Sequence, residues 1–355
     1  MAVKDIAGNG LAKNTLLSYV KSPKTGTSYM FTGEENTGKK YSAIQFAKAL
    51  NCETPLPDSD SCGVCPNCRL IDRVFTELDE EGMQLNPHPD VLYINTEKVN
   101  IVIDMVLDKL QEINAYRAIK LKKKIVIIND AEKMNNVASN AILKELEEPN
   151  ENAVIILIVN NQEKMLPTII SRCHRVEIKR APVNEIRAKL KTVKPELAGE
   201  KLEEAVMFCD GRIGDAFDYE GIKEKVAAAA SIARIISGKT DNIEGIFNKI
   251  QELETAKKAK KDDKDGSPKV FFLDILKILS YIYKDLLLAK AGVKDVMKQK
   301  YSINSSEIRE LSEKKIVNII GLIESAQRDL LANANTGLLF SGLFFGIRKE
   351  GLRND

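Results

Sequence analysis

Gly33-Glu34-Glu35-Asn36-Thr37-Gly38-Lys39-Lys40 is a phosphate-binding loop in every position but the last. The pattern G-x-x-x-x-G-K-[S/T] sets glycines where backbone N–H groups wrap phosphate oxygens. Its Lys reaches the β/γ oxygens, and its hydroxyl ligates Mg²⁺. Gly33, Gly38 and Lys39 are present, but Lys40 places a cation where the metal ligand belongs. The run Ser28-Tyr29-Met30-Phe31-Thr32 predicts the strand feeding the loop, and residues 41–50 the helix leaving it. Strand, glycine loop and helix in that order form the context the motif needs. A P-loop fold is expected; a working Mg·ATP hydrolase site is not. The competing reading, a chance glycine-rich turn, requires the rest of the chain to lack P-loop companions.

Outward from the loop, β-branched runs alternate with helical patterns to about residue 180. Residues 91–95, 124–129, 153–159 and 174–178 predict strands, and 101–113, 136–146 and 166–171 predict helices or helical turns. Nearly continuous apolar strands between helices predict a parallel sheet covered on both faces. Beyond Pro182 the strand signal stops. Residues 184–192, 202–209, 213–219 and 222–236 predict helices, as do 270–291, 306–332 and 336–347. The stretch from Ala256 to Pro268 is rich in lysine, with aspartates interleaved and a Gly-Ser-Pro end. It reads as a solvated loop, with a basic nucleic-acid patch as the alternative.

The bulk numbers narrow the class. At 355 residues, with 53 basic and 51 acidic side chains, the chain is long enough for about two or three domains and nearly neutral. It lacks a strong overall footprint for nucleic acid, although a local basic face stays compatible. No secretory h-region opens it, and the apolar stretch at 338–347 is too short to span a bilayer. A soluble, cytoplasmic, multidomain protein with no membrane partner is the expectation. Cys52, Cys62, Cys65 and Cys68 form C-x9-C-x2-C-x2-C, a density that suits tetrahedral Zn²⁺ in a reducing compartment. With no His and no open position, the site reads as structural; free or redox thiols are the alternative. Pro66 and the Gly63/Asn67 pair read as turn formers within this knuckle. Cys173 and Cys209 read as small buried residues, and His88 and His174 receive no metal role.

Lys124-Ile125-Val126-Ile127-Ile128-Asn129-Asp130 occupies the place of the strand that carries two acids in P-loop ATPases. The first acid there holds Mg²⁺ and the second polarises water; here they are the neutral Asn129 and the shortened Asp130. Both protein contributions to the metal are therefore missing, and with them a central term in phosphoryl transfer. ATP binding is left open, since the loop N–H groups and Lys39 remain.

The ordered set of motifs resembles the bacterial clamp-loader subunits of the AAA+ superfamily, in particular their delta-prime type. It comprises the P-loop, a Cys knuckle after its helix, His88-Pro89-Asp90, residues 124–134 and Ser139-Asn140-Ala141-Ile142-Leu143-Lys144-Glu145-Leu146-Glu147-Glu148-Pro149. Leu166-Pro167-Thr168-Ile169-Ile170-Ser171-Arg172-Cys173 and a helical tail complete it. The resemblance implies an AAA+ α/β domain with a zinc-knuckle insertion over residues 1–180 and a helical lid over 181–240. A linker with a charged loop over 241–268 and an all-α collar over 269–355 follow. It implies that Arg172 is an arginine finger presented to ATP on a neighbouring subunit. It places a polar sensor at Asn160 or Asn161, and it puts Gly214 where hydrolysing subunits carry a lid Arg, with Arg212 two residues too early. The implied partners are gamma/tau ATPase subunits, a delta subunit, the sliding clamp and, through the complex, primed DNA. The implied role is that of a non-hydrolysing subunit in DNA replication. Two readings compete with it: an active gamma/tau-like ATPase, and a stand-alone P-loop nucleotide kinase with a zinc lid.

Overall fold

A computed structural model of the chain describes residues 1–22, 27–76, 88–95, 118–147, 152–237, 268–292 and 311–352, with isolated positions between 245 and 255. The helix expected over 101–113 and the charged stretch over 256–267 lie outside the described residues. The described residues fall into two units, Met1–Phe217 and Asp218–Asp355.

The first unit is built on β1 Thr27–Thr32, β2 Val91–Asn95, β3 Lys124–Asn129, β4 Ala153–Val159 and β5 His174–Glu177. Every pairing is parallel and the order is β2-β3-β4-β1-β5. Strand side chains alternate between faces, and here both faces are apolar. Tyr29, Phe31, Val91, Tyr93, Ile125, Ile127, Val154 and Ile156 enter one core with Leu16, Phe46, Ile71 and Phe75. Met30, Leu92, Ile94, Val126, Ile128, Ile155 and Leu157 enter the other with Ile142, Leu146 and Ile169. The first core is closed by α1 Gly10–Lys21, α2 Lys39–Asn51 and α3 Pro66–Thr76, the second by α4 Asn136–Glu147 and the short α5 Pro167–Ile170.

All five strands stand within a residue of their expected bounds, but two helices were not anticipated. In α1 Ala12 and Leu16 are buried, Leu17, Tyr19 and Val20 pack partly buried against the same core, and Leu11 is exposed. In α3 the expected turn residues Pro66 and Asn67 instead open a helix. Proline is tolerated at that first position because its missing N–H has no intrahelical acceptor there, and Ile71, Val74 and Phe75 supply the buried face. Lys48, wholly buried on α2, ties the two helices through Asp72 at 2.7 Å.

After β5 come α6 Val183–Val193, α7 Glu200–Phe208 and α8 Ile213–Phe217. Arg187 and Glu203 join α6 to α7 at 2.8 Å. The second unit contains α9 Tyr219–Ser237, α10 Pro268–Lys290, α11 Glu313–Leu331 and α12 Thr336–Leu352, packed around Ile232, Phe272, Ile275, Ile319, Ile323, Phe340 and Phe344. The Ser312 hydroxyl accepts the Lys315 N–H and caps α11, so this helix starts later than the expected 306. No helix among the described residues is long and apolar enough to cross a membrane.

Asp90 fixes the entrance to the sheet. It is fully buried, and its carboxylate accepts N–H groups from Ile119 at 2.9 Å, Lys120 at 2.7 Å and Leu121 at 3.0 Å. Its own carbonyl accepts the Ile125 N–H at 2.8 Å. Burial pushes this carboxyl's pKa up, but the three N–H donors outweigh it and hold the group below its usual value. A depressed carboxyl pKa contributes stability above about pH 4, lost as pH falls through the folded-state value. Asp90→Ala leaves the buried Leu121 N–H and the part-buried Ile119 and Lys120 N–H groups without this acceptor. It is expected to destabilise the first unit by about 3 kcal/mol, read as a lowered urea midpoint at pH 7, with the gap to wild type narrowing at acid pH.

Candidate nucleotide site and cysteine cluster

The loop leaves β1 through Gly33, whose φ of 149° and close approach to β5 exclude a side chain: a Cβ there meets the Ile178 carbonyl oxygen. Gly38, at φ 97°, is the N-cap of α2. Lys39 opens that helix and is buried, with Nζ donating to the carbonyls of Gly33 at 2.8 Å and of Glu34. Burial lowers its pKa to about 8 against the pull of Glu132 and Asp130. Two backbone carbonyls of the loop thus receive this ammonium. Lys40 turns toward β2, with Nζ 4.4 Å from the Tyr93 ring centroid, a cation–π contact. It brings no oxygen ligand to the loop. The Ser42 hydroxyl, the other candidate for that role, donates to Gly38 O at 2.9 Å within its own helix.

At the end of β3, Asn129 is followed by Asp130 in the left-handed region at φ 48°. Asp130 accepts from Asn160 Nδ2 at 2.6 Å and pairs with Lys133 at 2.9 Å. This separates the two sensor candidates: Asn160 faces the β3 end, whereas the Asn161 side chain caps a short turn through Glu163 N. Glu132 was missed from sequence. One of its oxygens accepts the Asn160 N–H at 3.0 Å, and the other is buried without a hydrogen-bond partner. Its position two residues past Asp130, inside a 3-10 turn, was the available signal.

The segment after α7 folds onto the loop. Gly214 N donates to Asn36 O at 2.8 Å, and Asn36 Nδ2 to Asp215 at 2.6 Å. Arg180 joins Glu34 at 2.7 Å to Asp210 at 2.5 Å. A Cβ on Gly214 falls 3.0 Å from both the Asn36 carbonyl oxygen and its Cβ, tighter than side chains ordinarily pack. Arg212 is paired with Asp215 at 2.7 Å.

Arg172 stands just past α5. Its Nη1 donates to Thr168 O at 2.9 Å, and its Nη2 meets Glu147 of α4 at 2.8 Å. The side chain thus both closes its own helical turn and forms an ion pair. Cys173 and Cys209 match their reading as small packed residues, Cys209 buried and Cys173 partly so. Burial raises their thiol pKa values to about 12 and about 11.

The four remaining cysteines converge between the end of α2 and the start of α3. All four Sγ atoms lie within 4.8 Å of one another, and Cys52 and Cys65 are 3.9 Å apart. Zn–S bonds of about 2.3 Å in a tetrahedron separate sulfurs by about 3.8 Å, so the donor set fits a cation such as zinc. The Thr54 hydroxyl holds the Cys62 thiol down to about 6, while burial pushes Cys68 up. The knuckle is stitched to its surroundings. Asp60 accepts the N–H groups of Val3 and Lys4 at 2.9 Å, and Asn51 accepts that of Lys123 at 2.8 Å.

A parallel sheet in this order, a P-loop after β1, a polar residue of β4's end against the β3 acid and helices closing on the loop define a P-loop protein of the AAA+ type. The family described as DNA polymerase III, delta subunit, matches residues 8–182. The chain is 26% identical over 329 residues to DNA polymerase III subunit tau of Bacillus subtilis, covering 87% of this chain and 54% of the relative. It is 31% identical over 158 residues to subunit delta' of the same organism, covering 44% of each. These matches support a bacterial clamp-loader AAA+ protein. The chain spans about half the length of these curated relatives. A gamma subunit-related protein of Thermotoga maritima superimposes with a TM-score of 0.48 at 19% identity, over 95% of this chain and 99% of that one. That likeness is too low to add to the fold read from the sheet itself.

Protein purified without added metal is expected to carry about one zinc ion per chain, measured by elemental analysis. Cys68→Ser is expected to lose it and to loosen residues 52–68, while the urea transition of the α/β core persists. Freely titratable thiols in metal-free wild-type protein contradict this.

Proposed function

We propose that this chain is a non-hydrolysing, delta-prime-type subunit of the replicative clamp loader, assisting ATP-dependent loading of a sliding clamp onto primed DNA. The observation that carries this reading is the ligand set around the P-loop. Lys40 lies over Tyr93, Ser42 bonds back to its helix, and Asn129 stands where the first acid belongs. With no hydroxyl at position 40 and a neutral amide at position 129, Mg²⁺ lacks the usual ligands from both elements and the γ-phosphate part of its charge neutralisation. The lid adds to this, because Gly214 supplies no cation and its backbone is engaged by Asn36. In this reading the zinc is structural and nucleotide binds weakly or not at all. Residues 181–240 are the lid and 269–355 the collar, the protein works in the cytoplasm, and gamma/tau-type and delta-type subunits are its partners.

Arg172 is the residue we assign to catalysis, acting in trans. A guanidinium aimed at a neighbour's γ-phosphate stabilises the charge that develops there. The second reading, an active gamma/tau-like ATPase, is favoured by one observation, the tau relative aligned over 87% of this chain.

Isolated protein is expected to turn over ATP at background rate. Steady-state hydrolysis abolished by Lys39→Ala favours the gamma/tau-like reading instead. In a complex reconstituted with tau-type and delta-type subunits and a clamp, Arg172→Ala is expected to preserve assembly by gel filtration. It should lower clamp-stimulated ATPase partially and clamp loading more strongly. A finger is worth roughly 10³–10⁵ in rate at its own site, but the other ATP sites keep theirs. Wild-type ATPase and loading in a fully assembled Arg172→Ala complex remove the finger assignment.

A further inference from the structure

Arg172 is held from two directions. Its own turn supplies the Thr168 carbonyl at 2.9 Å, and Glu147, the last residue of α4, supplies a carboxylate at 2.8 Å. The place of that carboxylate is set from below, because Ile142 and Leu146 of α4 share one buried core with Ile169 of α5. The backbone of Arg172 is fixed as well, its N–H donating to Ile169 O at 3.1 Å. Both partners are substantially exposed, 35% and 49%, and exposed ion pairs contribute little to folding stability. A pair of this kind orders a side chain more than it holds a fold.

We propose that Glu147 is a positioning residue for Arg172, fixing the guanidinium so that its remaining N–H donors face outward to a phosphate on an adjoining subunit. This rests on the reading of Arg172 as a finger donated in trans. Arginine has several rotatable bonds, and a free side chain loses that freedom when it meets phosphate. Glu147 and the Thr168 carbonyl impose the loss beforehand, so the encounter starts from an aligned fork. The effect belongs to the chemical step rather than to ATP affinity, because neither residue belongs to this chain's P-loop.

The experiment uses the reconstituted complex, with clamp-stimulated ATP turnover and loading onto primed DNA measured for Glu147→Ala, Glu147→Asp, Arg172→Ala and the double variant. Glu147→Ala is expected to lower kcat about threefold, within the range that small misplacements cost, with KM for ATP unchanged. Glu147→Asp recovers most of that loss, and the double variant is no worse than Arg172→Ala alone. Wild-type kcat in Glu147→Ala beside an impaired Arg172→Ala overturns the positioning role and leaves the finger standing. Losses that multiply in the double variant also overturn it, since Glu147 then acts elsewhere. An Arg172→Ala complex with wild-type activity removes the finger and this proposal together. Should Glu147→Ala fail to assemble, the isosteric Glu147→Gln carries the same comparison.

Discussion

The first unit depends on the parallel pairing of β1 between β4 and β5, with both faces of the strand buried. Tyr29 stands opposite Ile156 and His174, and Thr32 opposite Val159 and Glu177. Because side chains alternate, a slip of one residue moves Met30 into the core of Tyr29 and Phe31. Register is therefore strongly specified, and with it the height at which the chain leaves the sheet. The P-loop, the β3 end and Asn160 meet because three neighbouring strands end at the same edge.

What converges there is a phosphate loop with Lys40 and Asn129 where P-loop ATPases carry metal ligands. The glycines still shape the turn, and Lys39 still points into it, but the ammonium rests on the loop's own carbonyls. The carboxylates that remain, Asp130 and Glu132, bond to Asn160 and Lys133. Closing contacts from Gly214, Asp215 and Arg180 complete a loop whose polar groups are largely satisfied from within.

The cysteine cluster and Arg172 lie apart from this loop and follow a different logic. Each is a local chemistry held in place by a few long-range hydrogen bonds: Asp60 and Asn51 around the cysteines, Glu147 beside Arg172. Neither is built on strand register, so each is open to change without loss of the sheet.

The sequence alone determined the P-loop, the five strands and the cysteine spacing, because these signals are local. A glycine needing positive φ, an apolar run and a C-x2-C step declare themselves within a few residues. It also placed Lys40 and Asn129 at positions where the motif expects metal ligands, a departure legible without coordinates. It missed α1, whose core face is only partly buried beyond Ala12 and Leu16, and α3, whose Pro66 reads equally as a turn or as a helix start. Only the tertiary structure put Asn160 rather than Asn161 against Asp130, found Glu132, and showed Glu147 gripping Arg172. Those pairings join residues far apart in the chain, and their geometry follows from how α4, α5 and β4 pack against one sheet.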